Sequence, residues 1–283
     1  MPLAPMSALL EPARAAGLGV GAMNVIQLEL AEAIVAGAEA AGLPVILQIS
    51  ENAVRFHHGR LAPIAAATRS IAEAAGVPVG LHLDHVEDDD LLDQAAPNGF
   101  GSVMYDASRL PYAENVAATA AAVARCRAAG LWVESELGEI GGKGGAHAKG
   151  ARTDPDEAAA YVAATGVDAL AVAVGSSHAM TTRSARLDHD LIARLAAAVP
   201  VPLVLHGSSG VPDDELSEAV RGGMAKINIG TALNTAFTGS VRSALGDQPD
   251  LVDPRRYLAS ARTAMAETVT AALRVLKTGV IPA

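Results

Sequence analysis

Cysteine is almost absent from this chain. Cys126 stands alone among 283 residues, which excludes an intrachain disulfide and a thiolate metal cluster and fits a reducing cytoplasm. Aromatic side chains make up only 3%, so any large core must be built from small aliphatics, as in sheets covered by helices. Positive charge is in deficit. The formal net charge of -10 excludes a surface built for nucleic acid or anionic membrane, since both need clustered Lys and Arg. Long apolar runs are missing too: about 18 uncharged residues are needed to span a bilayer, and even the Ala-rich stretch 116–129 carries Arg125 and Arg127. Residues 1–17 hold Glu11 and Arg14 in a short apolar pattern and lack the basic start and apolar stretch of a signal peptide. The expectation is a cytoplasmic protein whose partners are small molecules or another copy of itself.

What the chain has in quantity is Ala, Val and Gly, within a hydrophobic content of 51%. Short β-branched runs recur at 20–25, 44–50, 78–85, 101–108, 132–138, 169–175, 202–207 and 226–230. Between them lie Ala-rich stretches with spaced charges, as at 28–41, 113–129, 155–165 and 213–221, which read as helices. Strands alternating with helices imply parallel pairing through right-handed crossovers. Eight such units without a polar linker predict an α/β chain folded as one domain over 1–283, a (β/α)8 TIM barrel. A closing helix follows at 231–245, and Asp253-Pro254 opens an additional C-terminal helix to Lys277. A doubly wound nucleotide-binding sheet would want a glycine fingerprint after the first strand, and Met23-Asn24-Val25-Ile26-Gln27 has none. The segment 139–153, with Gly141, Gly142, Gly144, Gly145 and Gly150, is too glycine-rich for a helix and is expected to form a lid over the active-site face.

Barrel chemistry collects at the C-terminal strand ends. Polar residues fall there in a coherent set: Asn24, then Gln48 and Ser50, Asp84 and His85, Asp106 and Ser108, Glu134 and Glu136, Ser176 to His178, His206, and Asn228. Three imidazoles, His85, His178 and His206, thus come from three strands at one end. With an open fourth position that Glu136 can approach, this is a catalytic zinc pattern. For one His the simpler account is an unrelated polar residue at a strand end; three from separate strands tilt the balance to a site. His82 reads as a supporting or packing residue, His57 and His58 as solvated, and His189 as structural. Gly207, Ser208 and Ser209 after the seventh strand, and Ile229, Gly230 and Thr231 after Asn228 on the eighth, open onto helices. Their N–H groups and hydroxyls suit a phosphate, and Asn24 and Ser50 join them as candidate substrate contacts.

A Lewis-acid zinc beside a carboxylate, a substrate length from a phosphate anchor, suits reactions through an enediolate, of which retro-aldol cleavage of a phosphorylated ketose is one. The competing device is a Schiff-base lysine. Only Lys143, Lys149, Lys226 and Lys277 exist; two lie in the glycine-rich segment, one at the far end of the eighth strand and one near the C-terminus, which argues against it.

The sequence at this point resembles the class II, zinc-dependent ketose-bisphosphate aldolases, which include fructose- and tagatose-bisphosphate aldolases. The carriers run along nearly the whole chain: Gly21-Ala22-Met23-Asn24-Val25, Pro44-Val45-Ile46-Leu47-Gln48-Ile49-Ser50, His82-Leu83-Asp84-His85, Met104-Tyr105-Asp106-Ala107-Ser108, Val133-Glu134-Ser135-Glu136-Leu137-Gly138, Gly175-Ser176-Ser177-His178, Leu205-His206-Gly207-Ser208-Ser209-Gly210 and Lys226-Ile227-Asn228-Ile229. The resemblance implies that His85, His178 and His206 hold Zn2+, that Glu136 joins or leaves the metal, and that Asp84 is the proton-transfer acid/base. It implies that Gly207, Ser209, Asn228 and Thr231 contact phosphate and enediolate, with a monovalent cation (Na+ or K+) nearby. The products implied are dihydroxyacetone phosphate and an aldehyde, and the assembly a homodimer or homotetramer.

Three departures bear on substrate. Ala179 stands where the family usually has Gly, Gly230 where it usually has Asp, Asn or Ala, and Gly141-Gly142 is followed by Lys143-Gly144 instead of the usual loop Glu, leaving Glu139 and His147 as candidates for that role. Two other readings stay open: another metal-dependent barrel lyase or hydrolase, and a noncatalytic sugar-phosphate-binding relative.

Overall fold

A computed structural model describes residues 2–137, 152–177 and 182–277. Eight parallel strands close into a barrel in sequence order: β1 (Val20–Asn24), β2 (Val45–Ser50), β3 (Val79–Val86), β4 (Ser102–Tyr105), β5 (Trp132–Glu136), β6 (Ala169–Ala171), β7 (Leu203–Leu205) and β8 (Met224–Ile229), with β8 pairing back to β1. The helices are α1 (Met6–Ala15), α2 (Leu28–Ala41), α3 (Glu51–Phe56), α4 (Leu61–Ala74), α5 (Asp89–Leu92), α6 (Tyr112–Ala128), α7 (Pro155–Thr165), α8 (His189–Ala198), α9 (Asp213–Arg221), α10 (Thr231–Asp247) and α11 (Pro254–Lys277). The TIM barrel and the additional C-terminal helix are as the sequence predicts.

Local chemistry explains the firm boundaries. Asp154 caps α7 by accepting from the Asp156 and Glu157 amides, Pro155 occupies the first turn, and Gly166 ends the helix at φ 71. Helix α9 carries Asp213, Asp214 and Glu215 at its start and Arg221 at its end, matching the helix dipole. Strands β2 and β8 are buried almost throughout because helices cover one face and the barrel interior the other.

The two ends of the barrel differ in kind. Met6, Leu9 and Leu10 of α1 pack against Val20, Ala22 and Ile46 and form an apolar cluster at the end where the strands begin. On β3, β5 and β8 the period-2 alternation brings His82 and Asp84, Glu134 and Glu136, and Lys226 and Asn228 inward in pairs, all buried. Helix α11 buries Ala261, Met265, Val269, Leu273 and Leu276, one per turn, and the Leu276 carbonyl accepts from the Gly19 amide at 3.1 Å just before β1.

Several strands end sooner than the sequence runs suggest. The ladder of β4 stops at Tyr105, of β6 at Ala171 and of β7 at Leu205. Gly175 at φ 121 and Gly207 at φ 67 turn the chain there. The glycine-rich segment read as a lid, with Glu139, Lys143, Gly144 and His147, lies outside the described residues apart from its last two positions, as do His178 and Ala179.

Candidate active site

The site is built around a kink in β3. Its pairing with β4 shifts register between Leu83 and Val86, and within that irregularity His85 takes φ 50, a left-handed value that costs a non-glycine residue about 1–3 kcal/mol. The bulge re-aims the side chain. His85 Nδ1 meets Asp106 Oδ2 at 2.8 Å, and its ring stands edge-on to that of His206, with centroids 4.8 Å apart.

Two overlapping groups of side chains place one donor atom each within 4.8 Å of one another: Asp84, His85 and His206, and His85, Asp106 and Glu136. His206 Nε2 lies 3.1 Å from Glu134 Oε1, and its Nδ1 lies 3.9 Å from Glu136 Oε2. Glu134 also pairs with Lys226 Nζ at 2.8 Å, both side chains fully buried. Below them, His82 Nδ1 meets the Ser102 hydroxyl at 2.8 Å.

The charge balance invites a cation. Among the described residues, Asp84, Asp106, Glu134 and Glu136 bring four carboxyl groups around the Lys226 ammonium and the His85 imidazole, an acid-rich surrounding. Burial alone would strip the proton from His85, yet Asp84, the bonded Asp106 and Glu136 outweigh it and push its pKa up to about 10. Burial also opposes charge on Asp106, but the bonds from His85 and Ser108 prevail and hold that carboxyl below the usual range. Asp84 behaves differently: burial raises it, with His85 and Lys226 pulling the other way. His82 is pushed well below the ordinary imidazole value by burial and by Lys226, and is neutral. Imidazoles and carboxylates converging in a buried, electron-rich mouth are the donor set of a zinc site, so the residues fit such an ion.

Gln48 tethers the acid. Its Nε2 donates to Asn24 Oδ1 at 3.0 Å and reaches Asp84 Oδ2 at 3.4 Å, while the buried Asp84 Oδ1 has no hydrogen-bond partner. Nearby, the buried Asn228 Oδ1 is likewise unpartnered.

At the ends of β7 and β8, α10 opens after Gly230, which has no side chain to cap it, and Ser209 Oγ accepts from the first-turn Ala232 amide at 3.1 Å. The first-turn amides of α10 therefore face the half-buried Gly207 and Ser209 loop. Ser208 and Ile229 depart from the sequence expectation. Ser208 is buried and its hydroxyl donates to the Asn228 carbonyl; the Ile229 side chain belongs to the hydrophobic core. Ser50 Oγ accepts from the Ala53 amide at the start of α3. His57, expected in solvent, is half-buried and bonded through Nε2 to the Ile26 carbonyl at 2.7 Å, whereas His58 is exposed. His189 is structural as expected, 2.9 Å from Glu215.

Three residues outside the sequence-derived site set prove central to it: Gln48, Asp106 and Glu134. Each was visible at a strand end, and Glu134 shares the inward face with Glu136 by simple alternation.

A sequence profile described as Fructose-bisphosphate aldolase class-II matches residues 4–279. The chain belongs to that family. Among its relatives, the fructose-bisphosphate aldolase of Thermus caldophilus is 38% identical over 288 residues, covering 92% of this chain and 93% of that protein. The fructose-bisphosphate aldolase of Staphylococcus aureus is 37% identical over 272 residues, 95% of each. The crystal structure of the YdjI aldolase from Escherichia coli superposes with a TM-score of 0.85 at 32% identity, covering 97% of both chains. Class II aldolases use a metal cofactor, and the His and carboxylate cluster lies at the C-terminal strand ends where a barrel enzyme keeps its chemistry.

Proposed function

We propose that this chain, as one barrel domain over 1–283, is a zinc-dependent class II aldolase. It cleaves a phosphorylated ketose, such as fructose 1,6-bisphosphate or tagatose 1,6-bisphosphate, reversibly to dihydroxyacetone phosphate and an aldehyde. The observation that carries the reading is the meeting of Asp84, His85 and His206 in one cluster, the half-buried His85 between two buried partners, with Glu136 beside it. His85 and His206, with His178, would hold the zinc and Glu136 would join or leave it; the ion would supply the Lewis acidity that draws negative charge onto the ketose oxygens.

The protein's own groups then handle protons and position. Asp84 takes the proton of the C4 hydroxyl during cleavage and returns it to the aldehyde oxygen during condensation. Its raised pKa suits a group that must both accept and give. Gln48 holds one carboxylate oxygen and leaves the other, Oδ1, for the substrate. Asn228 offers its unpartnered Oδ1 to the enediol hydroxyls. The start of α10 with Gly207, Ser209 and Thr231 binds the phosphate through N–H and hydroxyl donors, helped by the helix dipole. The chemistry of Ser208 and Ile229 at this site is limited to their backbone, and Asn24 acts through Gln48. A monovalent cation, Na+ or K+, beside the phosphate, a homodimer or homotetramer, and a cytoplasmic location complete the reading.

The test is a coupled assay of dihydroxyacetone phosphate release over a panel of ketose phosphates, with and without chelator. Turnover is expected on at least one ketose bisphosphate and is lost with chelator. Asp84→Ala should lower kcat by about 10²–10⁴-fold while the protein still binds zinc. Turnover that survives chelation, or full activity in Asp84→Ala, overturns the assignment.

A further inference from the structure

We infer that the buried Lys226–Glu134 pair is a positioning device that fixes the tautomer of His206 and so sets how tightly the site holds its metal. The inference rests on the reading of His206 as a metal ligand. Glu134 and Lys226 are fully buried and 2.8 Å apart, in the barrel interior beneath the cluster, and the proposed proton transfers use neither. A buried ion pair of this kind adds little net stability, because desolvation offsets its attraction, so its presence calls for another role.

Hydrogen-bond geometry supplies that role. A carboxylate only accepts, so Glu134 Oε1 at 3.1 Å requires His206 Nε2 to be the protonated nitrogen. A neutral imidazole carries one N–H, which leaves the lone pair on Nδ1. That nitrogen lies on the Glu136 side, 3.9 Å from Oε2. Carboxylates that orient metal-binding imidazoles in this way typically change affinity about 10- to 100-fold when altered. Lys226 completes the arrangement by offsetting the cost of burying the Glu134 charge and by holding its second oxygen.

Lys226 also dictates what an amide would do in place of the acid. In Glu134→Gln the amide oxygen would turn to the ammonium and the NH2 to His206. Nε2 would then have to accept, and Nδ1 would carry the proton in the direction of the metal. Replacing Lys226 by Met as well removes that constraint and lets the amide oxygen accept from Nε2–H again.

The experiment measures zinc affinity by competition with a chromogenic chelator, and the visible absorption of the cobalt(II)-loaded protein, on full-length variants whose folding is checked by circular dichroism. Glu134→Gln is expected to bind zinc about 10- to 100-fold more weakly with an altered cobalt spectrum, and Glu134→Gln/Lys226→Met to recover most of the affinity. Should the single variant fail to fold, two doubly neutral variants carry the test. Glu134→Leu/Lys226→Met has no acceptor for His206 and should bind weakly, while Glu134→Gln/Lys226→Met should bind tightly. Equal zinc affinity and equal cobalt spectra in those two variants overturn the inference. His206→Ala separates the failures: if it alone loses zinc, only the positioning role falls, and if it binds zinc normally, the reading of the site falls with it.

Discussion

At Gly230 the backbone sits at φ -129, a value any residue adopts, so space and not conformation requires glycine there. A Cβ would lie 2.8 Å from Asn24 Oδ1, the atom that accepts from Gln48. The missing side chain therefore lets Asn24 close against β8 and brace the Gln48 link to Asp84. Gly230→Ala should displace Asn24 and loosen the acid. Misplacement of a catalytic group by about 1 Å can cost about 100-fold, so steady-state kinetics should show kcat/KM falling by up to that amount, with the melting temperature little changed. A variant with unaltered kinetics would show that the Asn24–Gln48 link does not hold Asp84.

Among the elements, α11 depends on a close approach to α2. A Cβ on Gly37 would lie 2.6 Å from the Ala266 carbonyl oxygen and 2.7 Å from Val269 Cβ, and Thr270 Oγ1 donates to the Gly37 carbonyl at 3.0 Å. Two effects of Gly37→Ala compete. Helix propensity favours the alanine by about 1 kcal/mol, while overpacking a fitted contact costs about 1–3 kcal/mol, more than the gain when the obstacle is backbone. Net destabilisation is expected as a lower urea midpoint, with the activity of the folded fraction retained. The bounds of α2, α7 and α9 coincide with the sequence ranges 28–41, 155–165 and 213–221 because caps and periodicity are local. Strands β4, β6 and β7 are shorter than their runs because a strand ends where its neighbours stop pairing, which no local pattern reports.

For the molecule as a whole, acid stability should bear the mark of Glu215. The Leu187 amide bonds its carboxylate, Arg186 and His189 add to it, and burial opposes them; the result is a pKa near 2, against an ordinary 4.5. A folded-state value below the unfolded one stabilises the protein above about pH 4.5, and that contribution disappears as the pH falls from there towards about 2. Urea midpoints measured across this window should fall more gently in Glu215→Gln, which is already weaker at neutral pH. An unchanged acid limb would remove Glu215 from the account.

What the sequence determined by itself was what repeats or lies close along the chain: the alternation of strands and helices that dictates a barrel, the additional C-terminal helix, and the placement of Asp84, His85, Glu136 and His206 at strand ends. The tertiary structure alone decided which of these groups meet. His85 reaches Asp106 because a bulge turns its backbone left-handed, Glu134 binds His206 from a strand more than seventy residues away, and Lys226 proves to be an inward ion-pair partner instead of a bystander at the far end of its strand. Such contacts depend on barrel closure and register, which are collective properties of all eight strands, and no single segment of sequence carries them.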